Sequence, residues 1–191
     1  MKRINDLIFV VNNFVTKHTC HQMYEYLTNT VTHNIADEHD MPWQLGNNIF
    51  YSDIKDTYIK EKVYNIKFGV ANLLSYLHNT KVYPHFTDMV LWQKHQQMNR
   101  HVDNGSNQVG RDDLAMRKYS AIIYLNDNYK GGKTFVSLDE ENDYISKPKT
   151  GTLLMFTSDQ RTTHGVKKVK VGYRGTLAMW FATEKKYQEK D

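Results

Sequence analysis

The chain has a single cysteine, Cys20, among its 191 residues. One thiol excludes an intrachain disulfide framework and any zinc site built from several cysteines, and it agrees with a reducing compartment. Long apolar runs are also lacking, since residues 7–11 are too few for a signal sequence or a membrane span and are followed directly by Asn12 and Asn13. We therefore expect a soluble, cytoplasmic protein with no membrane partner.

Strong charge of either sign is lacking as well. The formal net charge is +4, and the one local basic run is formed by Lys167, Lys168 and Lys170. Nucleic-acid-binding domains usually carry basic clusters and not a small excess, so nucleic acid is not an expected partner. Because 40% of the residues are hydrophobic, the chain is expected to be globular, and its length suits one domain.

Two amphipathic helices are predicted after a first strand near residues 7–11. The first covers residues 16–30, with Thr16 as its N-cap. The second covers about residues 54–78, where apolar side chains recur at steps of three and four. These side chains are Ile59, Val63, Ile66, Val70, Leu73 and Leu77. A stripe of this kind is the buried face of a helix that packs on the outer face of a sheet.

From Met89 onward the pattern changes to short strands separated by glycine, proline and asparagine turns. The predicted strands are residues 89–97, 117–125, 134–138, 152–157, 163–169 and 173–182. Many short strands with such turns indicate a jelly roll. We therefore expect a single α+β domain over residues 1–191 with a mainly β core: a double-stranded β-helix (jelly roll) over residues 88–183, supported by the helices and first strand of residues 1–87.

One constellation carries chemistry. His101 and Asp103 are separated by one residue, so in an extended segment their side chains share a face. His164 follows much later, and Arg174 lies ten positions beyond it. A hairpin centred near Val169 would set His164 directly opposite Arg174, with Cβ atoms about 5 Å apart.

Two imidazoles and one carboxylate form the donor set that binds non-haem Fe(II) and leaves coordination positions open. The planar guanidinium of Arg174 suits a carboxylate co-substrate. Each residue also has a plainer interpretation: Asp103 precedes Asn104 and Gly105 and would suit a turn, and Arg174 would suit a sheet edge. Their joint occurrence on strand-like segments favours the metal site.

Five segments in order resemble a known family. They are residues 101–103, 119–127, 129–134, 148–156, and the run from 164 to 181. Together they resemble the Fe(II)/2-oxoglutarate-dependent dioxygenases, and within them the prolyl 4-hydroxylase-like branch, including its compact bacterial and viral members. The resemblance covers roughly residues 88–183. For a viral member the expected location would be the host cytoplasm.

The resemblance implies roles for particular residues. His101, Asp103 and His164 match the iron ligands, Arg174 matches the residue that binds the far carboxylate of 2-oxoglutarate, and Tyr124 matches a tyrosine whose hydroxyl joins it. The implied cofactors are Fe(II), 2-oxoglutarate as co-substrate and O2, and the resemblance also allows for ascorbate. The implied reaction hydroxylates a substrate and releases succinate and CO2.

Substrate contacts are implied in the same way. Arg117 and Trp180 match positions that touch the prolyl substrate in protein prolyl hydroxylases, so the expected partner is a peptide or protein containing proline. Trp180 also stands where the nucleic-acid demethylases of the superfamily place a second arginine, which disfavours that branch. Met98 replaces a substrate-facing tyrosine of the branch, and Lys168 replaces a proline.

Some questions stay open from the sequence. The polar loop of residues 104–116 directly follows the metal motif and is predicted either to close over the substrate as a lid or to be a disordered surface loop. The same iron chemistry could act on a free amino acid or on another side chain. A non-catalytic jelly-roll binding module is the alternative from a different class. The oligomeric state and the position of hydroxylation on the ring are not predicted.

Overall fold

The computed structural model describes residues 1–31, 41–106 and 112–190. Two α-helices, α1 (Lys17–Thr30) and α2 (Thr57–His78), accompany thirteen strands in these ranges. The strands are β1 (Lys2–Arg3), β2 (Ile8–Val11), β3 (Asn48–Phe50), β4 (Tyr83–Trp92), β5 (Met98–His101), β6 (Tyr119–Tyr124), β7 (Lys130–Gly131), β8 (Thr134–Ser137), β9 (Asp143–Ile145), β10 (Leu153–Thr157), β11 (His164–Val166), β12 (Val169–Val171) and β13 (Arg174–Ala182).

Local chemistry sets the start of both helices and the end of the second. Thr16 is the N-cap of α1, and its hydroxyl accepts a hydrogen bond from the Thr19 backbone N–H at 3.1 Å, which confirms the predicted start. Asp56 caps α2 in the same way through the Ile59 N–H at 3.0 Å. The second helix ends at Asn79, whose left-handed backbone (φ 48°) stops the helical repeat.

The strands form two main antiparallel sheets, as expected for a jelly roll. The larger sheet has seven strands in the order β1-β2-β10-β6-β13-β4-β3, and the smaller has four in the order β5-β11-β8-β9. A third pairing joins β12 to β7. The sequence-based expectation of a mainly β core with supporting helices is confirmed.

The helices cover one face of the larger sheet. Side chains of α1 and α2 pack there against alternate residues of the central strands in one apolar cluster. The sheet residues in that cluster include Met89, Leu91, Ile123, Leu177 and Phe181. Cys20 is buried in the same cluster, and burial raises the pKa of its thiol to about 11. No helix within the described ranges is long and apolar enough to cross a bilayer.

The predicted hairpin between His164 and Arg174 is wrong. His164 lies on β11 in the smaller sheet and is paired with His101 and Val136, whereas Arg174 lies on β13 in the larger sheet and is paired with Trp92. The chain between them forms β12, which pairs with β7, in place of the expected hairpin turn. Val169 of that strand is fully buried and exchanges backbone hydrogen bonds with the segment after β4. Val169 is thus anchored in the core at the point where the chain passes from the smaller sheet to the larger sheet.

Candidate metal centre and active site

A cavity of about 380 Å³ opens between the two main sheets, on the face of the larger sheet opposite the helices. Because neighbouring side chains of a strand alternate between faces, the even-numbered residues of the central strands reach this cavity. They include Phe86, Asp88, Val90 and Trp92 of β4, Ser120 and Ile122 of β6, and Arg174, Thr176, Ala178 and Trp180 of β13. The volume suits a small ligand together with part of a larger one.

The three predicted metal ligands converge at one side of this cavity. His101 Nε2 lies 3.4 Å from Asp103 Oδ1, and His164 Nε2 lies 3.2 Å from Asp103 Oδ2. The opposite ring nitrogens face backbone carbonyls, His101 Nδ1 at 2.9 Å from Asn99 O and His164 Nδ1 at 3.2 Å from Thr162 O. The ligand atoms of the three residues all lie within 4.8 Å of one another.

This arrangement fits a divalent cation. When each Nδ1–H donates to its carbonyl, each Nε2 presents a lone pair, and both lone pairs face a carboxylate that also only accepts. Burial works to raise the pKa of Asp103, but His164 and His101, when their Nε2 atoms carry a proton in the absence of a metal, outweigh it and hold that pKa well below its usual range, so the carboxylate is ionised before a cation replaces those protons. Three acceptors converge on one point, and all three residues line the cavity, so a bound ion would keep positions open toward it.

Asp103 is also held from behind. The Ser120 hydroxyl donates to Asp103 Oδ2 at 2.6 Å and lies 2.7 Å from the hydroxyl of Ser158. All three side chains are buried. Hydrogen bonds to a ligating carboxylate fix its orientation, so Ser120 is a positioning residue for the triad. The sequence reasoning did not select Ser120; its position on the cavity face of β6 was the available signal.

Arg174 is a buried cation without an anionic partner. Its side chain is 1% exposed, its Nη2 donates to Thr134 Oγ1 at 3.1 Å, and its guanidinium carbon lies 5.3 Å from the ring centre of Trp92. Its Nε has no hydrogen-bond partner, and no carboxylate in the described parts of the chain forms an ion pair with it. A buried guanidinium in this state is costly unless an anionic ligand completes it.

The sequence and known folds are consistent with this chemistry. A family model described as the 2OG-Fe(II) oxygenase superfamily matches residues 84–182, just over half of the chain. The chain belongs to this superfamily. The matched segment contains all three converging ligands and Arg174.

Curated relatives of this oxygenase are similar to it over a shorter stretch. Prolyl 3-hydroxylase 2 of Homo sapiens is 40% identical over 75 residues, which is 38% of this chain and 11% of that protein. Prolyl 3-hydroxylase 1 of Gallus gallus is 36% identical over 77 residues, again 11% of that protein. The match thus spans about one tenth of the length of these relatives.

Solved structures share the fold of this oxygenase over nearly all of its length. A Trichoplax adhaerens prolyl hydroxylase in complex with a hypoxia-inducible-factor peptide superimposes with a TM-score of 0.71 at 18% identity, covering 96% of this chain and 86% of that chain. The viral collagen prolyl hydroxylase of Paramecium bursaria Chlorella virus-1 gives 0.67 at 15% identity, covering 94% and 97%. A Pseudomonas putida prolyl-4-hydroxylase gives 0.61 at 14% identity, covering 93% and 92%.

Tyr124 lies beside Arg174 but not at the cavity surface. Its fully buried hydroxyl donates to Thr134 Oγ1 at 3.0 Å, the same oxygen that accepts from Arg174. Thr134, and not Tyr124, lines the cavity at this point. The predicted pair is therefore brought together through a threonine that the sequence reasoning did not select, because only the fold brings β8 against β6 and β13.

Backbone shape makes room for the same guanidinium. Gly132 has a positive φ of 58°, and a Cβ added there would lie 3.0 Å from Arg174 Cδ and 3.1 Å from Tyr129 Cε2. Burial raises the pKa of Tyr129 to about 12, so its hydroxyl keeps its proton at neutral pH. The turn before β8 thus packs directly on Arg174 because it carries a glycine.

Arg117 and Trp180 both line the cavity, where they stack on each other. The Arg117 guanidinium carbon lies 4.6 Å from the ring centre of Trp180 and 5.6 Å from that of Phe86. Trp180 Nε1 is buried and has no hydrogen-bond partner among the residues the structure describes. Its N–H is therefore a buried donor that the described residues leave unsatisfied.

Two further sequence-based expectations concern Met98 and the loop of residues 104–116. Met98, which replaces the tyrosine of the branch, lines the cavity and presents a thioether where a hydroxyl would stand. The loop of residues 104–116 was predicted to be either a lid or a disordered surface loop, and its central residues 107–111 lie outside the described ranges. Leu114, near the end of that loop, lines the cavity.

Proposed function

We propose that this oxygenase uses Fe(II) and 2-oxoglutarate to hydroxylate prolyl residues of a peptide or protein, with release of succinate and CO2. One observation carries the proposal: a His-Asp-His cluster suited to a metal and a buried cation with no anionic partner share one cavity. The two features demand different ligands, a divalent cation and a carboxylate. A 2-oxo acid satisfies both demands at once because one end chelates the metal while the other carries a carboxylate.

In this proposal Arg174 binds the far carboxylate of 2-oxoglutarate. Its planar fork can donate two parallel charge-assisted hydrogen bonds, and Nε is still without a partner. Thr134 fixes the guanidinium from one side, and the ring of Trp92 covers it. A preorganised buried cation binds an anion without spending side-chain entropy on ordering.

His101, Asp103 and His164 would hold the metal. When bound, Fe(II) supplies the oxygen chemistry, in which oxidative decarboxylation of 2-oxoglutarate places one atom of O2 in succinate and the other in a C–H bond of the substrate. The chain supplies the orientation: two backbone carbonyls fix the imidazole tautomers, and Ser120 fixes the carboxylate. The apolar walls of the cavity keep bulk water away from the reacting centre.

The prolyl part of the proposal rests on Arg117, Trp180 and the relatives. Arg117 and Trp180 border the cavity near Ser120, which is paired across β6 and β13 with Trp180. The unpartnered Trp180 N–H would donate to a backbone carbonyl of a peptide. The relatives similar in sequence are named prolyl 3-hydroxylases. The similar solved structures are named prolyl hydroxylases, one of them a prolyl-4-hydroxylase, so either ring position is consistent with the proposal.

Turnover of 2-oxoglutarate tests the proposal. Purified protein is incubated with Fe(II), 2-oxoglutarate, ascorbate as a reductant, and proline-rich peptides; succinate is quantified, and peptides are examined for the gain of one oxygen atom. We expect both products in the wild type and neither with His164→Ala. His18→Ala, which alters an exposed histidine of α1, is the matched control and should turn over like the wild type.

Each failure has a separate meaning. Succinate without oxidised peptide would favour another substrate, such as a free amino acid or a different side chain. No succinate and no 2-oxoglutarate binding would favour a non-catalytic binding module. Chromatography of the hydrolysed product, which separates 3- from 4-hydroxyproline, would assign the ring position.

A further inference from the structure

Asp88 is an acidic side chain on the cavity face of β4 that the proposed reaction does not use. It is 4% exposed, lines the cavity, and is paired in register with Ala178 on one side and Phe50 on the other. It lies between Phe86 and Val90, two further residues of the same face. A buried carboxylate in a ligand cavity is unusual unless something compensates its charge.

The protein compensates that charge poorly. Within the described ranges, the only side chain that donates to Asp88 is Asn48, whose neutral amide lies 3.1 and 3.2 Å from the two carboxylate oxygens. No lysine, arginine or histidine of those ranges forms an ion pair with it. Lys67, the fully buried lysine of α2, pairs with Glu189 at 3.0 Å.

Electrostatics agree with the contacts. Burial raises the pKa of Asp88 to about 7, the Asn48 hydrogen bond works to lower it, and the charge of Glu189 raises it further. An ionised Asp88 is thus held in a site that disfavours negative charge. A cationic ligand beside Asp88 would stabilise its ionised form. A strongly raised carboxyl pKa in a cavity is therefore a feature of candidate binding sites.

The surroundings of Asp88 suit a cation attached to a chain. The rings of Phe50 and Phe86 lie 5.4 Å apart beside it, and Phe50 is 40% exposed, so the carboxylate is near the mouth of the cavity. Aromatic faces next to a carboxylate bind ammonium and guanidinium groups by combined charge and cation–π attraction.

Distance sets where that cation would sit on a substrate. Ser120 holds the candidate metal ligand Asp103. It lies on β6, two strands away from Asp88 on β4, and is displaced by two residues along the strand direction. With strands about 4.8 Å apart and about 3.4 Å per residue, the separation is about 12 Å. One to two residues of extended peptide plus a lysine or arginine side chain span a distance of this order.

We propose that Asp88 is a specificity residue that selects substrates with a lysine or arginine within about two residues of the oxidised position. The proposal rests on the proposed function for its substrate class. The buried, cavity-lining carboxylate without a cationic partner carries it, and the half-exposed ring of Phe50 beside it supplies the aromatic face, since Arg117 already lies 5.6 Å from the ring centre of Phe86.

Binding can be measured without turnover. All three tryptophans of the chain, Trp43, Trp92 and Trp180, line the cavity, so intrinsic fluorescence reports its occupancy. The peptides have equal length and a single proline. Each carries one lysine, norleucine or glutamate at one position within two residues of that proline. They are titrated into protein loaded with Fe(II) and 2-oxoglutarate without oxygen. Norleucine keeps the length of lysine and removes its charge.

We expect the wild type to bind the lysine peptide at least about tenfold more tightly than the norleucine peptide at one or more positions, as for a charge-assisted hydrogen bond in a desolvated site. In Asp88→Asn the difference should shrink to about twofold or less, because the amide can still accept from Asn48 but carries no charge. Asp53→Asn, which alters an exposed carboxylate outside the cavity lining, should keep the wild-type preference.

Two results would overturn the proposal: equal binding of lysine and norleucine peptides by the wild type, or an unchanged lysine preference in Asp88→Asn. Admitting oxygen then separates the two proposals. Lysine-dependent binding without oxidation of any peptide would refute the prolyl assignment and leave Asp88 as a cation subsite. Oxidation of peptides without lysine-dependent binding would support the prolyl assignment and refute Asp88 as a cation subsite.

Discussion

On the central strands β4, β6 and β13 most odd-numbered residues pack under the helices, whereas most even-numbered residues face the cavity side. The first set is apolar and buried, as in Leu91, Ile123 and Leu177. The second includes Asp88 and Arg174, each buried without a partner of opposite charge in the described ranges. Burial of apolar surface drives folding, and burial of uncompensated charge opposes it. One sheet thus divides stability and ligand binding between its two faces.

The comparison predicts that substitutions on the two faces fail in different ways. A cavity-face substitution should remove binding or turnover while the protein stays folded. A helix-face substitution should lower the free energy of unfolding while the properties of the site persist in the molecules that remain folded. Each prediction below tests that division, beginning with the largest effect.

Asp103→Ala is expected to lower the rate of succinate formation by more than about a thousandfold, because the metal site loses its only anionic ligand. The variant should remain folded, since the lost side chain is polar and belongs to the cavity side. Succinate assays and metal binding by calorimetry, with circular dichroism as the check on folding, measure this. Metal binding at wild-type affinity would contradict the assignment of Asp103.

Leu177→Ala is the opposite experiment on the helix face. Leu177 is fully buried in the cluster beneath α1 and α2, so truncation should cost about 2 to 5 kcal/mol of the free energy of unfolding. Urea denaturation measures the loss. The KM for 2-oxoglutarate should stay within about twofold of wild type at a temperature where the variant is folded. A large rise in KM would show that the two faces are coupled.

Much of the helix face could be predicted from the sequence. The stripe that includes Ile59, Val63 and Val70 marks the buried side of α2, and Thr16 marks the start of α1, because both depend on neighbours within a few positions. The convergence of His101, Asp103 and His164 was predicted from motif spacing and family resemblance. Local periodicity therefore accounts for the elements, and the resemblance accounts for the triad.

Contacts between distant segments were not predictable in the same way. His164 and Arg174 were expected as hairpin partners, yet they lie in different sheets, because strand spacing does not tell which sheet a strand joins. Thr134 beside Arg174 and Asn48 beside Asp88 depend on pairings between segments 40 residues apart. Alternation assigns a side chain to a face of its strand; the charges that surround it are set by the tertiary fold.

The gain in stability from Asp88→Asn should depend on pH. The pKa of Asp88 is raised from 3.8 to about 7 in the folded protein. Between these values the folded state alone holds the proton, so this contribution to wild-type stability is lost as pH rises from about 4 to about 7. Between pH 5 and pH 8 the stability advantage of the asparagine variant over the wild type should therefore grow by about 3 kcal/mol.

The advantage should be smaller at pH 5, because folded Asp88 is then protonated and only the ionisation of the unfolded chain favours unfolding of the wild type. Urea unfolding at both pH values measures the effect, and Asp53→Asn, on an exposed carboxylate, is the control. A constant difference between pH 5 and pH 8 would mean that Asp88 is not strained by its charge. It would remove one of the supports for the cation subsite while leaving the peptide-binding test to decide.

The smallest effect compares two buried threonines, Thr134 at the cavity and Thr87 on the helix side of the larger sheet. Thr134→Val removes the hydroxyl that accepts from both Arg174 and Tyr124, so the guanidinium loses its positioning bond. We expect the KM for 2-oxoglutarate to rise about five- to tenfold, which corresponds to about 1 kcal/mol for one hydrogen bond. Thr87→Val is the matched control, because the buried Thr87 hydroxyl has no hydrogen-bond partner in the described part of the chain.

Thr87→Val should leave that KM unchanged and should not destabilise the protein, since no bond is lost and an unsatisfied polar group is removed. Michaelis–Menten measurements on both variants, together with urea unfolding, decide the outcome. Equal KM values for the two variants would mean that the Thr134 hydroxyl does not orient Arg174. A rise with Thr134→Val alone would show that a single hydroxyl acts on ligand binding when it faces the cavity, whereas the same group facing the helices affects only stability.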